Sequence, residues 1–221
     1  MSNTTPVHIS VILDRSGSMA SIADDIVGGF NTFLEQQRKE DGEARITLVQ
    51  FDGGDPFEVL VAGEDLDRVA DLDPNRYIPR GNTPLWDAVG RMIARIDGEI
   101  GTRADAGEPI EDQLVLIVTD GFENASMEFD GQTLARLIAA RKKLGWTFVF
   151  LGSDESTFAE GERMNIAMGS TKQWNKSAEG SRAMFASMSH ETSEFRKSQS
   201  EQRRLKSEKF FEDEPGTSGD Q

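Results

Sequence analysis

The sequence contains no cysteine. That absence removes disulfides, thiolate nucleophiles and cysteine-bound zinc or iron–sulfur centres together, and it fits a reducing compartment. Histidine is almost as scarce. His8 and His190 are the two present, neither has a motif partner, and both read as structural or surface residues. No apolar run approaches the roughly 20 residues that a membrane span needs. Met1 to Pro6 carries no basic stretch and no apolar core, so no secretory signal is read there. The expectation is a cytoplasmic protein that does not bind membranes. Basic residues are the minority, 24 against 39 acidic, and the net charge of -15 repels phosphate backbones, which argues against nucleic acid as a partner. The Walker-type Gly-x-x-x-x-Gly-Lys loop, the Gly-x-Ser-x-Gly elbow and the Gly-x-Gly-x-x-Gly fingerprint are also missing.

What is present suffices for one sizeable domain: the length of 221 residues allows a well-buried core. Val7 to Leu13 is rich in β-branched residues and reads as a buried strand that Asp14 ends. Ile22, Ile26, Phe30, Phe33 and Leu34 recur at helical spacing, with Ser21 and Asp24 placed as a capping box. Arg45 to Phe51 and Phe57 to Val61 flank the turn Asp52-Gly53-Gly54-Asp55 and predict a hairpin. Residues 64 to 80 read as an irregular acidic connection. A helix then opens at Thr83-Pro84, with Leu85, Val89, Ile93 and Ile96 inward, and residues 101 to 113 read as a surface loop.

Leu114 to Val118 is apolar throughout, as in a strand covered on both faces, and Thr147 to Leu151 reads as a further central strand. Between them lies a helix with Leu134, Leu137, Ile138 and Arg141. Phe158 to Ile166 reads as a short helix, Ser170 to Trp174 as an edge strand, and Ala178 to Arg196 as a last helix with Phe185, Met188, Thr192 and Phe195 on one stripe. The alternation predicts an α/β fold: a doubly wound, mostly parallel central sheet with one antiparallel edge strand and helices on both faces. The boundaries expected are a flexible N-terminus at 1–6, a domain at 7–198, and a charged, disordered tail at 199–221. In that tail Arg203, Arg204, Lys206 and Lys209, with Phe210 and Phe211 behind them, read as a frayed helix end or a docking tail.

Folds of this kind place ligands beyond the carboxyl ends of their strands, and three polar groups fall there. They are Asp14-Arg15-Ser16-Gly17-Ser18, Gly81-Asn82-Thr83-Pro84, and Asp120-Gly121 after Thr119. Alternate residues of a tight turn can face one point, and Gly17 lets the backbone turn between the serines. The donors Asp14, Ser16, Ser18, Thr83 and Asp120 are all hard oxygens, which suits Mg²⁺, or Mn²⁺ or Ca²⁺. Two carboxylates only just neutralise such an ion, so an acidic group from outside can complete the shell. The local alternatives are turn and cap roles, above all for Thr83 before Pro84. Asp71-x-Asp73-x-Asn75 begins like a calcium loop, but Arg76 and Asn82 stand where Gly and Glu are required, so it reads as a solvated loop. Asp52, Asp87, Glu123 and Asn124 are candidates for orienting the site from outside or for simple capping. Trp86 and Trp146 read as packing residues.

The three elements together resemble the metal-ion-dependent adhesion site of von Willebrand factor A domains, over roughly Val7 to Leu151. The resemblance implies that the two serines and the threonine contact the metal, and that the aspartates coordinate directly or through water. It also implies a last helix, Ala178 to Arg196, that moves when ligand binds. The segment after Leu151 resembles intracellular bacterial members of tellurite-resistance and similar stress loci. The function expected is a divalent-cation-dependent protein-binding module that captures a partner's carboxylate, and not an enzyme. The competing reading is a metal-assisted hydrolase or phosphatase, weakened because Ser16 stands where such phosphatases need a second aspartate.

Overall fold

A computed structural model of the protein describes residues 5–153 and 155–212. The β-branched run at the start is a strand, β1 (Val7–Asp14), buried along its whole length. Ile9, Val11 and Leu13 enter one core and Ile12 the opposite one. This period-two alternation is hidden in the sequence because both faces of the sheet are covered. β2 (Ala44–Phe51), β3 (Glu58–Asp65), β4 (Asp112–Thr119), β5 (Thr147–Gly152) and β6 (Thr171–Gln173) complete the sheet among the described residues, in the order β3-β2-β1-β4-β5-β6. The β2–β3 hairpin is antiparallel and the other pairings are parallel, as the sequence pattern predicts.

The helical stripes find these faces. α1 (Ala23–Arg38) and α5 (Ala178–Lys197) cover the Ile9–Leu13 side, with Ile26, Phe30, Phe33 and Leu34 meeting Met184, Phe185, Met188 and Phe195. The two helices close tightly at Gly29, where a Cβ would lie 2.1 Å from the Phe185 ring. α2 (Leu85–Asp105) and α3 (Gly131–Lys142) cover the other side through Leu85, Val89, Ile93, Ile96, Leu134 and Ile138. The short helices are α4 (Thr157–Arg163) and α6 (Ser200–Lys206).

Three expectations are corrected. Ser21 and Asp24 form no capping box, because a 3-10 turn, Gly17–Ile22, runs straight into α1 and leaves no free end to cap. The helix expected to stop near residue 100 continues to Asp105, and the loop shrinks to 106–111. Gly98 and Gly101 each cost such a helix about 1 kcal/mol relative to alanine. Ion pairs from Arg95 to Glu99 (2.7 Å) and from Arg103 to Glu108 (2.6 Å) and Glu111 (3.3 Å) hold it together.

The third correction concerns the tail. Residues 199–212 are packed, with α6 in place, Arg203 only 1% exposed, and Phe210 and Phe211 buried against Phe195 and Lys172. The helix end therefore does not fray, and of the basic cluster Arg203 is buried while Arg204 and Lys209 stay exposed. Arg203 turns inward onto Asp112 (2.7 Å) and the carbonyls of Thr5, Phe195 and Arg196. At the other end, Pro6 accepts a backbone hydrogen bond from Asp112. The remainder of the expected flexible ends, residues 1–4 and 213–221, lies outside the described residues.

His8 sits on β1 with Nε2 2.8 Å from the Thr47 hydroxyl. Burial, aided by the nearby Arg45 charge, pushes its imidazole down to about 3. The folded state thus refuses a proton that the unfolded chain accepts below its ordinary value of about 6.5. Stability from this residue is complete above that pH and is lost progressively as pH falls toward 3. Acid melts are expected to show His8→Gln losing less stability than the parent between pH 7 and pH 4, by about 3 kcal/mol. Parallel pH dependence of the two proteins would refute the assignment.

Candidate metal centre

The sheet order reverses between β1 and β4: the chain proceeds outward to β2 on one side and to β5 on the other. At such a switch point the loops leave in opposite directions and open a crevice at the strands' carboxyl ends. Asp14 is the last residue of β1, and Asp120 follows directly on β4. Asp14 is fully buried. Its Oδ1 accepts from the Ser16 amide and its Oδ2 from the Thr119 hydroxyl, each at 2.6 Å. The Ser16 and Ser18 hydroxyls lie 3.0 Å apart, and Ser18 donates to Asp120 Oδ1 at 2.6 Å.

Thr83 joins from the side. A Cβ on Gly121 would fall 3.7 Å from the Thr83 hydroxyl and 3.9 Å from that of Ser18, so Gly121 leaves the space those two oxygens flank. The fold thus places all five candidate residues around one point. Four share a chain of hydrogen bonds, and Thr83 sits beside it. Burial raises the Asp14 carboxyl to about 6, with the Asp120 charge adding to the effect.

Thr83 is not needed as a cap. α2 begins one residue later than its proline suggests, and its first free amides are satisfied from another loop: Trp86 by Glu123 (2.8 Å) and Asp87 by Ser126 (3.0 Å). Asn124 holds the backbone of Thr83 in both directions, accepting from its amide (2.9 Å) and donating its own amide to the Thr83 carbonyl (3.1 Å). The Asp87 carboxylate accepts from the amides of Met127, Glu128 and Phe129, each at 2.9 Å. Asp52 takes Arg15 (2.5 Å) and Arg80 (3.0 Å) while accepting the turn amides of Gly54 and Asp55. The four acidic or amide residues near the site are therefore loop anchors. Backbone bonds from Gly17 to Gly81 (3.0 Å) and from Arg80 to Arg15 (2.9 Å) stitch the first two loops together.

Several contributors escaped the sequence reading. Thr119 orients Asp14, and its neighbour position in the Thr-Asp-Gly turn was the available signal. Buried Arg15 spans Asp52 and Glu58, and Tyr77 donates to the Asp14 carbonyl. Lys176, on the connection between β6 and α5, brings its ammonium to 2.5 Å from Asp120 Oδ2. Nothing in the local sequence marks it. Asp71 and Asp73 behave as ordinary loop residues, pairing with Arg38 and accepting from the Asn75 amide. Trp86 is half-buried with its indole donating to Glu160, while Trp146 stacks on Phe148.

Among the described residues no three His, Cys, Asp or Glu side chains gather as a metal site. The candidate centre has two carboxylates and relies on hydroxyls for the rest. That donor set fits a hard divalent cation: two buried carboxylates in mutual repulsion call for positive charge, and all the remaining donors are oxygen. Soft-metal ligands are absent from the group.

No family model and no curated protein matches the sequence. Solved structures do match. A von Willebrand factor type A protein from Catenulispora acidiphila superposes with a TM-score of 0.60 at 14% identity, over 86% of this chain and 43% of that one. The pilus adhesin SpaC from Lactobacillus rhamnosus GG, in its open conformation, gives 0.60 at 14% identity, over 88% and 31%. Proximal thread matrix protein 1 from the mussel byssus, with a zinc-occupied MIDAS motif, gives 0.59 at 16% identity, over 83% and 47%. The chain spans less than half the length of each of these three. At these identities the likeness concerns architecture, and the architecture of this protein is that of a von Willebrand factor A domain.

Proposed function

We propose that the protein is a divalent-cation-dependent protein-binding module, rather than an enzyme, whose centre is formed by Asp14, Ser16, Ser18, Thr83 and Asp120. The observation that carries this reading is the hydrogen-bonded chain from Asp14 through Ser16 and Ser18 to Asp120, with the Thr83 hydroxyl beside it, at the crevice between β1 and β4. A hard cation held there, Mg²⁺ or else Mn²⁺ or Ca²⁺, supplies a Lewis-acid contact for a carboxylate from a partner. Ser16 and Ser18 are set by the turn and by each other, Asp14 is fixed by Thr119, and the Thr83 loop is fixed by Asn124. The site is thus ordered by its own backbone anchors before any ligand arrives, which lowers the entropic cost of binding.

The surrounding loops favour a protein as partner. Phe122 follows the Asp120-Gly121 turn and is exposed, Met127 on the same loop is 93% exposed, and Ile78 is exposed on the loop that leads to Arg80. Isolated apolar groups on ordered loops around a charged centre suit an acidic anchor flanked by apolar contacts. The neighbouring structures include an adhesin and a metal-occupied MIDAS, which agrees with this reading. Among the described residues no helix is long and apolar enough to cross a membrane. A cytoplasmic setting and kinship with the stress-locus type belong to the same proposal, and the lack of cysteine is compatible with a reducing compartment.

Affinity capture from the native cell, run in parallel with Mg²⁺ and with EDTA, tests it. The expected result is a partner retained with Mg²⁺ and lost with EDTA. Equal recovery under both conditions would sink the proposal.

A further inference from the structure

The Asp120 carboxylate meets the chain itself at both oxygens. Oδ1 accepts from the Ser18 hydroxyl at 2.6 Å, and Oδ2, which is buried and accepts no hydrogen bond among the described residues, forms an ion pair with the Lys176 ammonium at 2.5 Å. The Asp120 side chain is 0% exposed and that of Lys176 is 32% exposed, so this pair is screened far less than one at the surface. Lys176 is also not part of the sheet that builds the site. It lies between β6 at the sheet edge and Ser177, the cap of α5, whose hydroxyl accepts from the Gly180 amide at 3.0 Å. From there it reaches past β5 to the end of β4.

We propose that Lys176 is a tethered cation that competes with the divalent metal for Asp120, so that metal binding releases the segment leading into α5. This inference rests on the metal-centre reading above. Two cations cannot approach one carboxylate oxygen without mutual repulsion, and a divalent ion neutralises the Asp14–Asp120 pair where a single ammonium compensates only one charge. Lys176 therefore serves as the counter-ion of the metal-free site and weakens metal uptake by the interaction it must surrender. Its position ties that exchange to the first turn of α5, the helix that packs on α1 at Gly29.

The experiment is calorimetric titration of Mn²⁺ into the wild-type chain and into Lys176→Met, which keeps the length and removes the charge. Lys176→Met is expected to bind Mn²⁺ on the order of tenfold more tightly, the scale of one partly buried ion pair. Equal or weaker binding by the variant, with uptake present in both, overturns the inference alone. No uptake by either protein overturns the metal-centre reading and this inference with it. Should the variant fail to fold, hydrogen exchange on the wild type decides: amides in residues 174–180 are expected to exchange faster once Mn²⁺ binds. Unchanged protection of that segment during uptake overturns the proposal.

Discussion

Asp14→Asn is expected to lower affinity for Mg²⁺ or Mn²⁺ by at least about 100-fold, the top of the range for losing a group that merely orients a metal's ligands, while the metal-free protein melts no lower than its parent. The two halves of this result come from the same geometry. Asp14 carries its charge in a fully buried position, and burial raises its carboxyl to about 6. At pH 7 the folded protein therefore holds a carboxylate that it disfavours relative to the unfolded chain, by a shift worth up to about 3 kcal/mol. Asparagine removes that cost and keeps an oxygen for the Ser16 amide. Its amide group can donate to the Thr119 hydroxyl, whose proton is then free for the Gly121 carbonyl.

Alanine is the poorer probe, because it strips both partners and mixes a folding defect with a binding one. Calorimetric titration and a thermal melt in EDTA check the two halves separately. A variant that melts lower yet takes up metal normally would mean that Asp14 is a structural residue. Stability gained where binding is lost is the signature of a site that the fold maintains against its own preference.

The second large effect concerns the chain beyond α5. Ending the protein at Ser198 is expected to destabilise it by on the order of 5 kcal/mol, enough to consume much of the 5–15 kcal/mol available to a domain of this kind. Burial of Phe210 and Phe211 accounts for most of this, at roughly 1.5–3 kcal/mol for each ring. The loss of Arg203 adds to it by leaving Asp112 without its guanidinium and uncovering the carbonyls of Phe195 and Arg196. The amides of Phe210 and Phe211 also bond back to Ser170 and Gly169 beside β6, so the segment staples the sheet edge. Denaturant unfolding of the truncated and full chains measures the difference. A truncated protein of unchanged midpoint would restore the reading of residues 199–212 as a detached tail. Phe210→Ala alone should cost about 3 kcal/mol or more by the usual price of a vacated aromatic site.

That segment shows where pattern reading fails. Its composition is polar and its helix short, so no periodic stripe announces packing. The two aromatics matter only because Phe195, from the previous helix, turns its ring toward them. The end of α2 fails for the opposite reason: Gly98 and Gly101 weaken the local signal, and the arginine–glutamate pairs that overrule it include residues of the following loop. The first turn before α1 is similar, since Ser21 and Asp24 have cap chemistry but no helix end to act on.

By itself the sequence determined the strands, the faces of the long helices, the hairpin and the oxygen-only character of Asp14, Ser16, Ser18, Thr83 and Asp120. Those properties are local, because they depend on side-chain type and on spacings of two or about four residues along one segment. Only the tertiary structure decided how the donors meet, which loops brace them, and that a lysine from the far edge of the sheet rests on Asp120. Hydrogen bonds and ion pairs between distant segments carry no period along the chain. They exist once β1 and β4 lie side by side and the loops at their ends are forced into one crevice.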